Sequence, residues 1–146
     1  MQKFSGNHFL SQNGIYILIV FCFTISLLFV DLKSQKNPEG FITGMFLISF
    51  CVFAGLTYPM NYFILTRDEI IIKNPIWFWK NVKIPLKEIE RISIDQPFRS
   101  PVRLNIECRL FPKKSFYGSS LRKNTWRNLK IELQKNKIIV DDFICQ

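Results

Sequence analysis

Histidine occurs once, cysteine four times and glycine six times in this chain of 146 residues. Each scarcity excludes some chemistry. His8 has no second histidine to join it, and Cys22, Cys51, Cys108 and Cys145 never form a C-x-x-C pair, so a Cys/His zinc site lacks its ligand set. There is no P-loop, no Rossmann glycine pattern, no G-x-S-x-G and no H-E-x-x-H. The acid pairs offer no substitute. Asp68-Glu69 reads as part of a turn, Glu88 and Glu90 as surface ion pairs among Lys87 and Arg91, and Asp141-Asp142 as an exposed strand end. Without a nucleophile–base pair, the expected function is binding rather than catalysis, with no cofactor and no metal.

Charge is scarce in the first part of the chain and abundant in the rest. Residues 1–60 carry three lysines and two acids, whereas residues 61–146 carry seventeen Lys and Arg against nine Asp and Glu. With 48 % apolar residues and fifteen Phe, this division points to a membrane anchor carrying a basic domain. Ile15–Val30 is uncharged and, at ~1.5 Å per helical residue, spans roughly 24 Å of a hydrocarbon core ~30 Å thick; Gly14 and Leu32 extend it. Phe41–Tyr58 is also uncharged, and no charge follows until Arg67. Neither stretch has a one-sided stripe, which suits lipid. Between them Asp31–Gly40, with Asn37-Pro38, reads as a tight loop. Residues 1–60 are thus expected to form a transmembrane hairpin with spans at about 14–32 and 41–60.

With only Lys3 ahead of the first span and no small-x-small site after it, the span reads as a retained anchor rather than a cleaved signal. Arg67, Lys73, Lys80, Lys83 and Lys87 outnumber Lys33 and Lys36 of the loop, which places both termini in the cytoplasm and the chain in the cytoplasmic membrane as a multi-pass protein. Cysteines held as small reduced hydrophobes suit that side.

From Asn61 short Ile-, Val- and aromatic-rich segments alternate with turn residues. Tyr62–Thr66, Ile70–Lys73, Ile76–Lys80, Val82–Ile84 and Arg91–Ile94 read as strands, and Asn74-Pro75 and Gln96-Pro97 as turns. Val102–Phe111 alternates cleanly, with Val102, Leu104, Ile106 and Cys108 on one face and Arg103, Asn105, Glu107 and Arg109 on the other. Leu129, Ile131 and Leu133 alternate as a strand would, yet Trp126, Leu129 and Leu133 also fit a helical face. Eleven residues without Gly or Pro predict a helix over Thr125–Lys135, capped by Asn124 or Thr125, before a last strand over Lys137–Ile144.

The run FILTRDEIIIKNPIWFWKNVKIPLKEIERISI, Phe63 to Ile94, resembles the opening of bacterial pleckstrin-homology-like domains. There a transmembrane hairpin often precedes a strand, an acidic turn, a strand of "III" type, a second hairpin and "IPL-x-x-I", matched here by Ile84-Pro85-Leu86 and Ile89. Tyr117 to Ile144 is similar to the tail of small membrane proteins of this type, where a Gly-Ser turn leads to a Trp-containing helix and an acidic strand. The resemblance implies a membrane α+β protein: a two-helix transmembrane hairpin at 1–60, then a basic cytoplasmic PH-like domain at 61–146, antiparallel and β-rich, with one helix near its carboxyl end.

Two features point to where such a domain binds. Arg99 to Lys130 holds nine cations and the single acid Glu107. An anionic leaflet attracts cations by about 1 kcal/mol each when they lie within a Debye length of it. Lys113, Lys114, Arg122, Lys123 and Arg127 are the expected anionic-surface residues. Ile76-Trp77-Phe78-Trp79-Lys80 has the composition of an interfacial anchor; along a strand, Trp77 and Trp79 would share a face, pointing either into lipid or into the core. The expected partner is anionic lipid or another membrane protein. Nucleic acid is not expected, since no nucleic-acid-binding motif accompanies the charge. An accessory subunit assembling through its hairpin, where Gly40, Gly44, Ala54 and Gly55 allow close helix contact, is the alternative function.

Overall fold

The computed structural model describes residues 1–7, 11–27, 29, 37–109 and 111–143. Two apolar helices, α1 (Gln12–Leu27) and α2 (Pro38–Thr57), pack antiparallel. Thr24 Oγ1, in the last turn of α1, donates to Ser49 Oγ at 2.9 Å, and Asn13 Nδ2 donates to the Leu56 carbonyl at 2.8 Å at the other end. Pro38 opens α2, and Asn37 Oδ1 accepts from the Gly40 amide at 2.9 Å, satisfying a donor the helix leaves free. Of the two, α2 is long and apolar enough to cross a membrane; α1 has sixteen described residues. The expected loop at residues 31–36, the expected end of the first span, His8 and Cys145 lie outside the described residues.

The remaining chain forms two four-stranded sheets. In the first, β1 (Gln2–Phe4), β2 (Tyr62–Leu65), β3 (Glu69–Lys73) and β4 (Asn81–Pro85) lie side by side in that order, every pairing antiparallel. The second has the order β7-β6-β5-β8, from β5 (Ile89–Asp95), β6 (Arg103–Cys108), β7 (Lys114–Tyr117) and β8 (Ile139–Asp142). A helix, α3 (Lys123–Lys135), precedes β8. Phe63, Leu65, Ile70 and Ile72 of the first sheet, Ile92, Ile94, Leu104 and Ile106 of the second, and Trp126, Leu129 and Leu133 of α3 meet in one core. The spacing of those three α3 residues is the helical one expected, and the apolar face read along β6 is the buried one. On the opposite face of β6, Asn105 is buried as well: its Nδ2 donates to Ser93 Oγ at 3.1 Å and its Oδ1 accepts from Ser115 Oγ at 2.6 Å.

Several expectations need correction. Gln2–Phe4, assigned to the hairpin region, is a strand of the basic domain's sheet, with Phe4 opposite Phe63 and buried in the core. The last strand pairs with β5 in parallel, because α3 carries the chain back across the domain before it re-enters the sheet. Residues 76–80 are a turn between β3 and β4, not a strand. The residue capping α3 is Arg122, which makes no side-chain cap bond, rather than Asn124 or Thr125. Asp142 is no exposed strand end: its carboxylate is 2 % exposed and accepts from Lys130 Nζ at 2.9 Å.

Beside the helices, β6 starts with a cross-strand ion pair. Arg103 Nε and Nη2 donate to Asp95 Oδ1 and Oδ2 at 2.7 and 2.9 Å, and these bonds hold the Asp95 carboxyl below the usual carboxylate range. A depressed folded-state pKa contributes stability above the unfolded value and loses it as pH falls through the folded one. Asp95→Asn should therefore cost about 1–2 kcal/mol at neutral pH. The gap in thermal unfolding temperature from wild type should close as pH drops below about 4. A gap of undiminished size at pH 3 would count against a charge-dependent role for the pair.

Candidate functional site

Chain direction sorts the domain into two ends. β2 leaves the end of α2, so Tyr62, its register partner Lys73 and the following residues 74–80 lie beside the helices. Met60 bridges Gly118, the Ser119 amide donates to the Pro59 carbonyl at 3.1 Å, and Asn13 Nδ2 donates to Ser119 Oγ at 3.2 Å, which brings the β7–α3 turn to the same end. The β5–β6 turn joins them, because Arg103 pairs with Tyr117 in register.

Asn74 organises the first of these turns. It is 3 % exposed. Its Oδ1 accepts from the amides of Ile76 and Trp77, both at 3.0 Å, an Asx turn. Its Nδ2 donates to the carbonyls of Thr57 and Tyr58 at 3.0 and 3.2 Å, at the end of α2, where helical acceptors run out of i+4 partners. One side chain thus folds the turn and fastens it to the helix. Trp77 Nε1 adds a bond to Thr57 Oγ1 at 2.9 Å, and the Lys80 amide closes the turn on the Trp77 carbonyl at 2.8 Å. Trp77 and Trp79 remain neighbours, edge to face at 5.1 Å between centroids, although no strand aligns them. Phe78 and Trp79 stay 81 % and 64 % exposed. Lys80 Nζ lies 3.8 Å from the Tyr58 ring centroid, and partial burial lowers its pKa from the ordinary lysine value. Ala54, Gly55, Tyr58, Trp77, Trp79 and Lys80 enclose an open groove of about 700 Å³.

A second aromatic–cation turn stands beside α1. The Ser100 amide donates to the Pro97 carbonyl at 3.0 Å, Arg99 takes the left-handed conformation at φ 56°, and Phe98 at the tip is 87 % exposed. The Arg99 guanidinium carbon lies 5.1 Å from the Phe98 ring centroid. Arg99 and Ser100 share a cleft with Asn13 and Tyr16 of α1.

The five expected cations do not form one patch. Arg122 and Lys123 start α3 at the helix-proximal end, with Arg127 one turn on, all exposed. Lys113 precedes β7 and Lys114 opens it, at the opposite end of the strand, roughly 13 Å away at ~3.3 Å per residue. Lys113 is also paired, Nζ to Glu107 Oε1 at 2.9 Å, and Lys114 Nζ lies 5.2 Å from the Phe111 ring centroid. The residues missed from the sequence are Asn74, Tyr58, Phe98 and Arg99. Asn74-Pro75 and Gln96-Pro97 mark their turns, but nothing local says that both turns reach the same helices. Among the described residues no three His, Cys, Asp or Glu side chains stand together as a metal site. Burial raises the Cys108 thiol pKa.

Two sheets with a helix against their shared core, preceded by an apolar helix pair, are the setting in which the family comparison is decisive. The bacterial PH domain family matches residues 15–109, from the first turn of α1 through β6. This chain belongs to that family. The match takes in both apolar helices with β2 to β6 of the PH domain, and leaves β1, β7, α3 and β8 outside it. No curated protein matches the chain.

Proposed function

We propose that this protein crosses the cytoplasmic membrane twice and, without catalysing a reaction, holds its PH domain against the anionic inner surface. The observation carrying this reading is the pair of aromatic–cation turns, Trp77–Lys80 beside α2 and Phe98–Arg99 beside α1, at the one end of the domain that meets the apolar helices. Aromatic rings favour headgroup depth and cations favour anionic lipid. Strand pairing supports the even number of crossings. Phe4 and Phe63 are register partners and so share one side of any membrane, which means that α2 cannot cross alone between them. The excess of Lys and Arg on the domain then favours the cytoplasm. Lys113 and Lys114, more than a Debye length of ~8 Å beyond the helix-proximal end, drop out of the proposed surface; Arg122 and Lys123 stay in it and Arg99 joins them.

A reporter active only outside the cytoplasmic membrane, fused after Gln146, should stay silent, and activity there would reverse the orientation. In nanodiscs containing phosphatidylglycerol, amides at 76–80 and 97–100 of the full chain should exchange more slowly than in phosphatidylcholine alone. That difference should vanish at 1 M salt, where screening acts over ~3 Å. Replacing Arg99, Arg122 and Lys123 together by Gln should reduce the protection at least tenfold at ~1 kcal/mol per charge, whereas Lys113→Gln with Lys114→Gln should leave it unchanged. Equal exchange in both lipids would favour the accessory-subunit role for the hairpin.

A further inference from the structure

We infer that the groove between the last turn of α2 and the Trp77–Lys80 turn seats one anionic phospholipid, its phosphate on Lys80 and an acyl chain along Ala54 and Gly55. The inference deepens the membrane-surface reading and rests on it.

Four observations select this occupant. First, the lining is apolar and aromatic except for one ammonium, that of Lys80. Lys80 is partly desolvated, lies over the Tyr58 ring, donates to the Tyr58 carbonyl at 3.4 Å and borders the open groove, where an anion can reach it. Second, a side chain added at Gly55 would meet nothing within 4 Å, so Gly55 leaves open a slot on the helix surface. Third, helical spacing puts Cys51, Ile48 and Leu47 below Gly55 and Tyr58 on the same side of α2, and all three are exposed, as a hydrocarbon chain running into a bilayer requires. Fourth, the carbonyl of Tyr58, a lining residue, already accepts from Asn74 Nδ2, which leaves an extended peptide little to bond. Trp77 and Trp79 form the outer wall at the depth where indole rings favour headgroups.

The test is quenching of tryptophan fluorescence in the full chain, reconstituted in phosphatidylcholine nanodiscs into which acyl-brominated phosphatidylglycerol is titrated. The chain has three Trp, and Trp126, buried in the core, provides an unquenched floor. The expected result is saturable quenching at a few mole per cent of brominated phosphatidylglycerol. Brominated phosphatidylcholine should quench only in proportion to its mole fraction. Lys80→Gln should raise the half-saturating fraction about tenfold, Lys80→Arg much less, and Gly55→Phe, which fills the slot, should remove the saturable component. Glycerol 3-phosphate in millimolar excess should not relieve the quenching; relief would mean that the site takes a free phosphate and the acyl chain is dispensable, which overturns the assignment. Equal quenching by both brominated lipids, or a saturable component untouched by Gly55→Phe and Lys80→Gln, would overturn the lipid site while leaving the surface reading intact. No quenching by either lipid would remove both.

Discussion

Phe4→Ala should lower the unfolding free energy by about 3–5 kcal/mol, the range for truncating a buried Phe, and deletion of residues 1–5 by at least as much. Phe4 is buried among core residues of both sheets, and its strand is the outer partner of β2 through Gln2–Leu65, Lys3–Ile64 and Phe4–Phe63. Removing the strand opens one side of Phe63 and Leu65 and leaves the β2 backbone as a new edge, bare of its hydrogen-bonding partner. Pulse proteolysis of the full-length protein in detergent reads the loss directly. Lys3→Ala, on the other face of the same strand, serves as the control and should change stability by less than about 1 kcal/mol. A Phe4→Ala protein as resistant as wild type would mean that the first strand adds nothing to the core. A fragment beginning at residue 61 is for the same reason a poor substitute for the protein, since it lacks a strand of its own sheet.

Asn74→Ala should cost about 3 kcal/mol and, in the same step, free the aromatic turn from the helix. Four hydrogen bonds converge on this buried side chain; alanine leaves the two amides to find water or go unpaired and takes one donor from each of the two carbonyls. Asn74→Asp separates the two jobs. A carboxylate keeps the acceptors for the Ile76 and Trp77 amides but turns an oxygen toward the Thr57 and Tyr58 carbonyls, so the turn should form and its attachment to α2 should fail. Thermal unfolding together with tryptophan emission distinguishes the variants. Both should shift emission to longer wavelength as Trp77 leaves Thr57, and the alanine variant should lose more stability. Unshifted emission in both would show that the rings are held by packing alone.

The strands and helix that were legible from sequence are those whose own periodicity carries the signal. β6 alternates over its whole length, and Trp126, Leu129 and Leu133 recur at a spacing that only a helix brings to one face. Features set by distant partners were not legible. β1 has three residues and no pattern of its own; it is a strand because β2, nearly sixty positions later, offers it an edge. The parallel pairing of β8 depends on where α3 sets the chain down. The Trp77–Trp79 segment has the β-branched and aromatic composition of a strand, but Asn74 bends the backbone and the end of α2 supplies carbonyls that stabilise the bend. The basic run was visible as a count. Its division between the two ends of β7 follows from strand direction, which charge alone does not encode.

The early strand also sets an order of events during synthesis. At roughly 5–20 residues per second, the ribosome needs some 3–12 s after making residue 4 before residue 63 exists, and in that interval the first strand has nothing to pair with. Closing so long a segment as free coil would cost roughly 3–4 kcal/mol in chain entropy. The helix pair shortens the search, because Asn13 and Leu56 already meet at 2.8 Å when α1 and α2 have zipped together. The helix pair is therefore a folding template for the sheets. Weakening it at a site remote from the domain, such as the Thr24–Ser49 contact, should slow acquisition of protease resistance by the sheets while leaving the finished sheet's contacts unchanged. A newly made chain whose helices are late to associate would present β1 and β2 as two unpaired edges on the same nascent polypeptide, each a target for other nascent chains.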